Sequence, residues 1–173
     1  MSGIHSLGAL SRRAFATLVA AFALAFITLA PGDAHAYDES LRVSYIRVKI
    51  TTGGDDLRTA SLAVAQLKYL SLTGSQQTAS GNLNNYVGWG NYTENTVTYA
   101  VPGDVYVDRL LEFAVQFTSG QPNIFSTGDN WNMNSITVTA VLSNSTETIL
   151  LTMAGNPLHR FQSDNFTRWA VTF

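Results

Sequence analysis

Short acidic and amide side chains stand in the predicted loops of this chain, and they are the residues best suited to bind a metal. Calcium takes several oxygens from carboxylates, amide carbonyls and the backbone. The sequence therefore predicts a calcium site drawn from Asp55, Asp56, Asp129, Asn130 and Asp164. A structural interpretation stays open, in which Asp55 or Asp56 caps backbone amides and pairs with Arg58 while Asp129 forms an Asx-turn.

Aromatic side chains among glycine and asparagine form a second group that could bind a ligand. Sugar sites combine aromatic faces with a few polar anchors, as other concave sites do. We expect ligand-binding residues in the long segment 73–95 and in the run 128–134, namely Tyr86, Trp89, Tyr92 and Asn132. For Trp131 we expect burial at one end of the core, whereas for Trp89 exposure and burial are equally supported.

Enzymatic chemistry has few residues to use. His159 is the only histidine after residue 36, there is no cysteine, and no Gly-x-Ser-x-Gly turn accompanies the histidine. A histidine-based zinc site needs more imidazoles than one. We therefore favour a non-catalytic protein and name no catalytic residue. The alternative is a hydrolase that uses two acids roughly 5 to 9 Å apart, drawn from Asp55, Asp56, Asp108, Glu112 and Asp129.

The first 36 residues have the features of a cleaved signal peptide. Two arginines at positions 12 and 13 precede the apolar stretch 14–30, and Ala34 and Ala36 form a small-x-small cleavage site. The apolar stretch is shorter than the roughly 20 residues of a spanning helix, so we expect no membrane-spanning segment. We predict a secreted or periplasmic protein. The segment Ser-Arg-Arg-Ala-Phe (11–15) leaves both twin-arginine export and ordinary secretion open.

Residues 37–173 are long enough for one domain with a single core. Of the ten lysines and arginines of the chain, two lie in the leader, and of the twelve acids one does, which leaves a net charge of −3. No basic run is present, so a nucleic-acid partner is not expected. Without cysteine, stability must come from packing.

Alternation of apolar and polar residues predicts strands throughout residues 37–173. The clearest are 41–52, with Ile46, Val48 and Ile50 on one face, and 105–117, with Phe113 and Val115 on one face. Further strands are predicted at 61–72, where a short helix is the alternative, and at 97–101, 136–142, 148–153 and 166–173. Residues 154–157 are expected to break the chain. We predict an all-β antiparallel β-sandwich of jelly-roll type with seven to eight strands, and a closed barrel is the alternative.

Four sequence words together resemble a small β-sandwich module found in secreted bacterial proteins. They are Thr-Gly-Gly-Asp-Asp-Leu-Arg (52–58), Leu-Asn with Trp-Gly-Asn (83–84 and 89–91), Asp-Asn-Trp-Asn-Met (129–133) and Gly-Asn-Pro-Leu-His-Arg-Phe (155–161). The gross pattern is also similar to PLAT-type sandwiches, although no loop carries consecutive aromatics. The resemblance implies a sandwich fold, secretion and an accessory binding role.

We therefore expect a secreted, non-catalytic module that binds carbohydrate or another cell-surface component, with calcium holding its loops. The alternatives are the small hydrolase and a secreted toxin or pore-forming protein. The toxin alternative rests on the low charge and the abundance of serine, threonine and aromatic residues.

Overall fold

The computed structural model describes residues 38–121, 123, 125, 127–163 and 165–173. The predicted leader and the predicted calcium ligand Asp164 lie outside the described residues. Eight strands make up most of the described chain, with a single 3-10 turn before β1 (Glu39–Leu41) and another before β5 (Val107–Arg109). The strands are β1 Val43–Thr52, β2 Leu62–Leu70, β3 Gln76–Asn82, β4 Glu94–Ala100, β5 Leu110–Thr118, β6 Trp131–Leu142, β7 Glu147–Phe161 and β8 Arg168–Thr172.

The strands form two four-stranded sheets with the orders β4-β1-β6-β7 and β3-β2-β5-β8. Every pairing within the sheets is antiparallel. The ring of Tyr99 on β4 lies against Gly81 on β3, so the two sheets face each other with β4 opposite β3. The predicted all-β sandwich of seven to eight strands is confirmed.

The core lies between the sheets and follows the predicted alternation. Ile46, Val48 and Ile50 of β1 are buried, as are Phe113 and Val115 of β5. Val48 pairs with Val138 of β6 and Ile50 with Ile136, so apolar residues of neighbouring strands share the inner face. Burying these side chains is the main favourable term in folding.

The structure decides three stretches that the sequence pattern left open or misplaced. Residues 62–70 form strand β2, as predicted in preference to a short helix. The long segment 73–95 contains β3, and the run 128–134 is a loop only up to residue 130, because β6 begins at Trp131. The expected break at 154–157 is wrong: β7 continues to Phe161 through an irregularity that includes a cis peptide before Pro157.

Four connections gather at one end of the sandwich, and we call this the loop end. It consists of residues 53–61, 83–93, 119–130 and 162–167, which join β1 to β2, β3 to β4, β5 to β6 and β7 to β8. Each connection crosses from one sheet to the other. The register places them together, because the end of β1 pairs with the starts of β4 and β6, and the end of β7 pairs with the start of β6. Within the described residues, no helix has the length and apolarity to span a membrane.

Candidate functional site

Large apolar side chains stand exposed at the loop end. Tyr86, Val87 and Tyr92 come from 83–93, Phe125 from 119–130 and Phe166 from 162–167, and each is between 54% and 90% exposed. Single exposed apolar residues are ordinary on a protein surface, whereas a concentration of them marks an interaction site. Three of the four connections of the loop end therefore offer apolar contact surface.

The loop that carries Tyr86 and Tyr92 is held in place from within. The buried Asn84 accepts a hydrogen bond from the Ala63 backbone N–H at 2.9 Å, and its amide nitrogen donates to the carbonyls of Ser61 (2.9 Å) and Val87 (3.0 Å). Both tyrosines have positive φ angles, 61° and 56°, a conformation that costs energy for a residue other than glycine. The scaffold therefore fixes the backbone that presents the two exposed rings.

Trp89 belongs to the core rather than to the exposed group. It is 7% exposed and packs edge-on against Trp131, with ring centroids 5.9 Å apart. Its backbone exchanges hydrogen bonds of 3.0 and 2.7 Å with Leu57, which ties loop 83–93 to loop 53–61. Of the two interpretations left open for Trp89, burial is the one that the structure adopts, and little of its ring is left for a ligand.

Trp131 closes this end of the core, as predicted. It is fully buried and stacks on Phe161 with a centroid separation of 4.8 Å. Among the described residues its buried indole nitrogen has no hydrogen-bond partner. Trp89, Trp131 and Phe161 thus form an aromatic cluster in the part of the core next to the loop end.

Asn132 takes part in backbone pairing between β6 and loop 53–61. Its N–H donates to the Asp55 carbonyl at 3.0 Å, and its carbonyl accepts from Gly53 at 2.7 Å. Its buried side-chain oxygen has no partner among the described residues. Asn132 is therefore placed beside Asp55, while the exposed tyrosines lie on the neighbouring loop.

Asp129 is a buried carboxylate that joins two connections. One carboxyl oxygen accepts from the Arg58 backbone N–H at 3.0 Å, and the other lies 3.2 Å from Arg58 Nε without hydrogen-bond geometry. The Asp129 N–H donates to Ser119 Oγ. Burial raises the pKa of this carboxyl, while the Ser61 hydroxyl and Arg58 oppose the shift and Asp56 adds to it. The aspartate that pairs with Arg58 is therefore Asp129, and not Asp55 or Asp56 as the structural interpretation of the sequence expected.

The predicted calcium ligands other than Asp164 lie in connections 53–61 and 119–130, but arginines accompany two of them. Asp55 is 2.9 Å from Arg160, and Asp129 faces Arg58. Asn130 accepts a long hydrogen bond of 3.4 Å from the Ser163 N–H. Among the described residues, no group of three or more His, Cys, Asp or Glu is placed to hold a metal. A calcium ion at this junction would need amide and backbone oxygens as well, and the site remains a prediction.

The remaining acids named for a hydrolase lie elsewhere. Glu112 is on β5, where Lys68 and Arg168 pair with it, and the Arg168 hydrogen bond lowers its pKa. Asp108 lies in the turn before β5, at the opposite end of the sandwich. His159 is partly buried, and its Nε2 is 3.2 Å from the Phe166 carbonyl oxygen.

A small polar cavity lies between two connections of the loop end. Its volume is about 230 Å³, and Ser119, Gln121, Gly128 and Ser163 line it. None of these four residues is charged. The connections that line it also carry the exposed Phe125 and Phe166. Polar groups and aromatic rings therefore occur on the same two loops.

Sequence reasoning missed Val87, Phe125, Phe166 and the cavity. The sequence does contain a signal for the three residues. Each is an apolar residue among turn-forming residues and outside any alternating pattern, so exposure of its side chain could have been predicted. Phe166 was instead assigned to the last strand, which begins at Arg168. The cavity had no sequence signal, because its walls come from loops more than 30 residues apart.

No family model and no curated protein matches the chain. Among solved structures, the chain is similar to "Alpha Toxin from Clostridium Absonum", with 14% identity and a TM-score of 0.53 over 82% of this chain and 34% of that one. An alpha-toxin of an avian strain of Clostridium perfringens matches at 18% identity and a TM-score of 0.45, over 72% and 33%. The chain thus spans about a third of the length of these toxins. The first likeness shows a shared fold, and the second is too weak to add to it.

Proposed function

We propose that this chain is a non-catalytic binding module that attaches to a component of a cell surface, with carbohydrate as the ligand class. The observation that carries the proposal is the exposure of Tyr86, Val87, Tyr92, Phe125 and Phe166 at one end of a rigid sandwich. Rigid scaffolds that present loops are a common way of building binding sites. The proposal places the module outside the cell, as its predicted leader indicates.

The choice of carbohydrate rests on the combination of groups. Tyr86 and Tyr92 offer exposed rings that could cover the apolar face of a sugar. The cavity between Ser119 and Ser163, whose described lining residues are uncharged, offers hydroxyl and amide groups for sugar hydroxyls. Concave sites of this kind take their affinity from apolar walls and their specificity from a few polar groups.

A lipid surface is the second candidate ligand, and a specific observation favours it. Val87, Phe125 and Phe166 are exposed and have no polar atom in their side chains for a sugar hydroxyl, whereas exposed tyrosines and phenylalanines suit the boundary between water and lipid. A solved structure with the shared fold is an alpha-toxin. A role in a secreted toxin is therefore part of this second proposal.

The test compares three variants on the same two surfaces. Tyr86→Ala with Tyr92→Ala removes the paired tyrosines, Phe125→Ala with Phe166→Ala removes the phenylalanines, and Tyr45→Ala, an exposed tyrosine near the start of β1, is the matched control. A glycan array and sedimentation with phosphatidylcholine vesicles are the measurements. We expect at least a tenfold loss of glycan affinity, about 1.4 kcal/mol, in the tyrosine variant, and no change in the control.

The results separate the two candidates. Loss of vesicle binding in the phenylalanine variant, with no glycan bound by the unchanged protein, would replace carbohydrate by lipid. Binding to neither surface would overturn both. An equal loss in Tyr45→Ala would mean that the loop end is not the contact surface.

A further inference from the structure

Within the described part of the chain, strand β7 pairs with another strand on only one of its two edges. It is the last strand of the order β4-β1-β6-β7, and its 15 residues make it the longest strand of the described chain. Its only strand neighbour among the described residues is β6. Backbone N–H and C=O groups on its other side therefore point toward solvent, and such a row is a template for another strand.

The free edge has no charged side chain over most of its length, and its remaining protection is Pro157 and two irregularities in its pairing with β6. Residues 148–158 contain no Asp, Glu, Lys, Arg or His, although charged residues commonly guard exposed edges. The other edges differ: β4 carries Glu94, β8 carries Arg168, and β3 consists of polar and small residues from Gln76 to Asn82. The stretch 148–154, Thr-Ile-Leu-Leu-Thr-Met-Ala, has the apolar, uncharged, β-favouring composition of segments that pair between chains.

Apolar side chains at this edge are incompletely covered. Ile149 is 66% exposed and Met153 is also exposed, while Leu150 and Leu151 are only partly buried. Because β4 lies opposite β3, the strand orders place β7 opposite β8. β8 has 5 residues against 15 in β7, so it cannot cover the inner face of the longer strand.

We propose that β7 pairs antiparallel with β7 of a second copy of this chain, so that the two four-stranded sheets become one sheet of eight strands. A twofold axis makes such an edge its own partner, since each copy offers the same row of donors and acceptors. No charge opposes a like charge within 148–154. The irregularity before Pro157 ends regular pairing on one side of this stretch, and a second irregularity leaves Leu150 without a partner on β6, so residues 151–154 are its longest regular part.

The size of the contact suits a specific dimer. Seven residues at about 3.4 Å each span about 24 Å, and two sheets about 10 Å apart with their side chains give an edge about 20 Å deep. Each copy would bury about 500 Å², or about 1,000 Å² in total, which reaches the lower bound for biological interfaces. Hydrogen bonds between the main chains of the two copies also fix the register in which the apolar residues meet.

The first test measures the mass of the purified protein by analytical ultracentrifugation between 1 and 100 µM. We expect a dimer, and we expect Ile149→Lys to raise its dissociation constant at least 100-fold with an unchanged far-UV circular dichroism spectrum. Gln76→Lys puts the same charge on the edge strand β3 and should leave the dimer intact. A monomeric protein up to 100 µM, or a dimer that survives Ile149→Lys, would overturn the proposal.

A second test uses the absence of cysteine from the chain. Single cysteines at positions 149 to 153 report the pairing, because a disulfide needs Cα atoms closer than about 7 Å. Oxidation should link two copies at the positions nearest the twofold axis and leave Gln76→Cys unlinked. Equal linking at position 76 would count against β7. A monomer that captures an unrelated extended peptide at the same positions would show that the partner is a foreign strand, which also overturns the proposal.

Discussion

Asp129 carries a carboxylate into the interior at the base of the loop end. Among the described buried residues it is the only acid or base. Its carboxylate accepts from the Arg58 backbone N–H, which joins connections 53–61 and 119–130, and its own N–H donates to the Ser119 hydroxyl within connection 119–130. Buried charges are retained when partners compensate for their lost hydration. At this residue the compensation is incomplete, because burial raises the pKa of the carboxyl.

This shift predicts how Asp129 affects stability as the pH changes. A carboxyl whose pKa is higher in the folded state binds a proton more tightly there than in the unfolded chain, so its contribution falls as the pH rises from about 3.8 through the folded pKa. We expect the wild type to lose stability relative to Asp129→Asn between pH 3.5 and pH 7. Urea unfolding of both proteins at the two pH values measures the difference. If the wild type instead gains stability relative to Asp129→Asn as the pH rises, the charge of Arg58 changes the pKa of Asp129 more than burial does.

At the scale of elements, the sheets depend on one close approach between β3 and β4. The ring of Tyr99 lies where a side chain at Gly81 would be, and the Tyr99 hydroxyl is buried with no partner among the described residues. Burial raises the pKa of this phenol. The ring is thus held by packing, and the glycine makes the space for it.

Gly81→Ala should therefore destabilise the sandwich. The added methyl group meets the Tyr99 ring, and overpacking of this kind costs about 1 to 3 kcal/mol. Gly103→Ala is the matched control, since nothing lies within 4 Å of a Cβ at that position. Chemical unfolding compares the two variants. Equal stabilities would show that β3 can move away from β4 at little cost.

The sequence predicted elements where one strand buries one face, and it failed where tertiary contacts decide. The alternation of Ile46, Val48 and Ile50 was sufficient for β1, because that strand has a buried and an exposed face. β7 was cut short because Gly155 and Pro157 are turn-forming residues, yet at a sheet edge proline has no ladder bond to lose. The exposed phenylalanines could not be placed, since their position depends on loops that converge only in the folded chain.

At the scale of the whole molecule, a ligand that binds the loop end is expected to change the free energy of unfolding of the entire domain. The four connections of the loop end all cross between the sheets, so a ligand that fixes them resists separation of the sheets. Asp55, Asp56, Asp129 and Asn130 lie in two of these connections. A cation bound at this junction should therefore change the unfolding of the entire domain rather than the order of a single loop.

The predicted calcium site can be tested through this coupling. A ligand at 100 times its dissociation constant stabilises by about 2.7 kcal/mol, which for a domain of this size raises Tm by roughly 5 to 10 °C. Melting in calcium is compared with melting in chelator, with magnesium as the control ion. Asp55→Asn should reduce the shift. Identical Tm values in calcium and chelator would remove calcium from the proposed function.

The pairing of β1 with β6 determines when the chain can fold. Val43 pairs with Leu142, and these two strands form the centre of their sheet although most of the domain lies between them in sequence. At about 5 to 20 residues per second, a ribosome needs roughly 5 to 20 s to make the intervening chain. Strand β1 must stay unpaired with β6 for that time. One edge of this early strand therefore stays open for other chains to pair with until β6 has been made, while β4, made earlier, can already pair with its other edge.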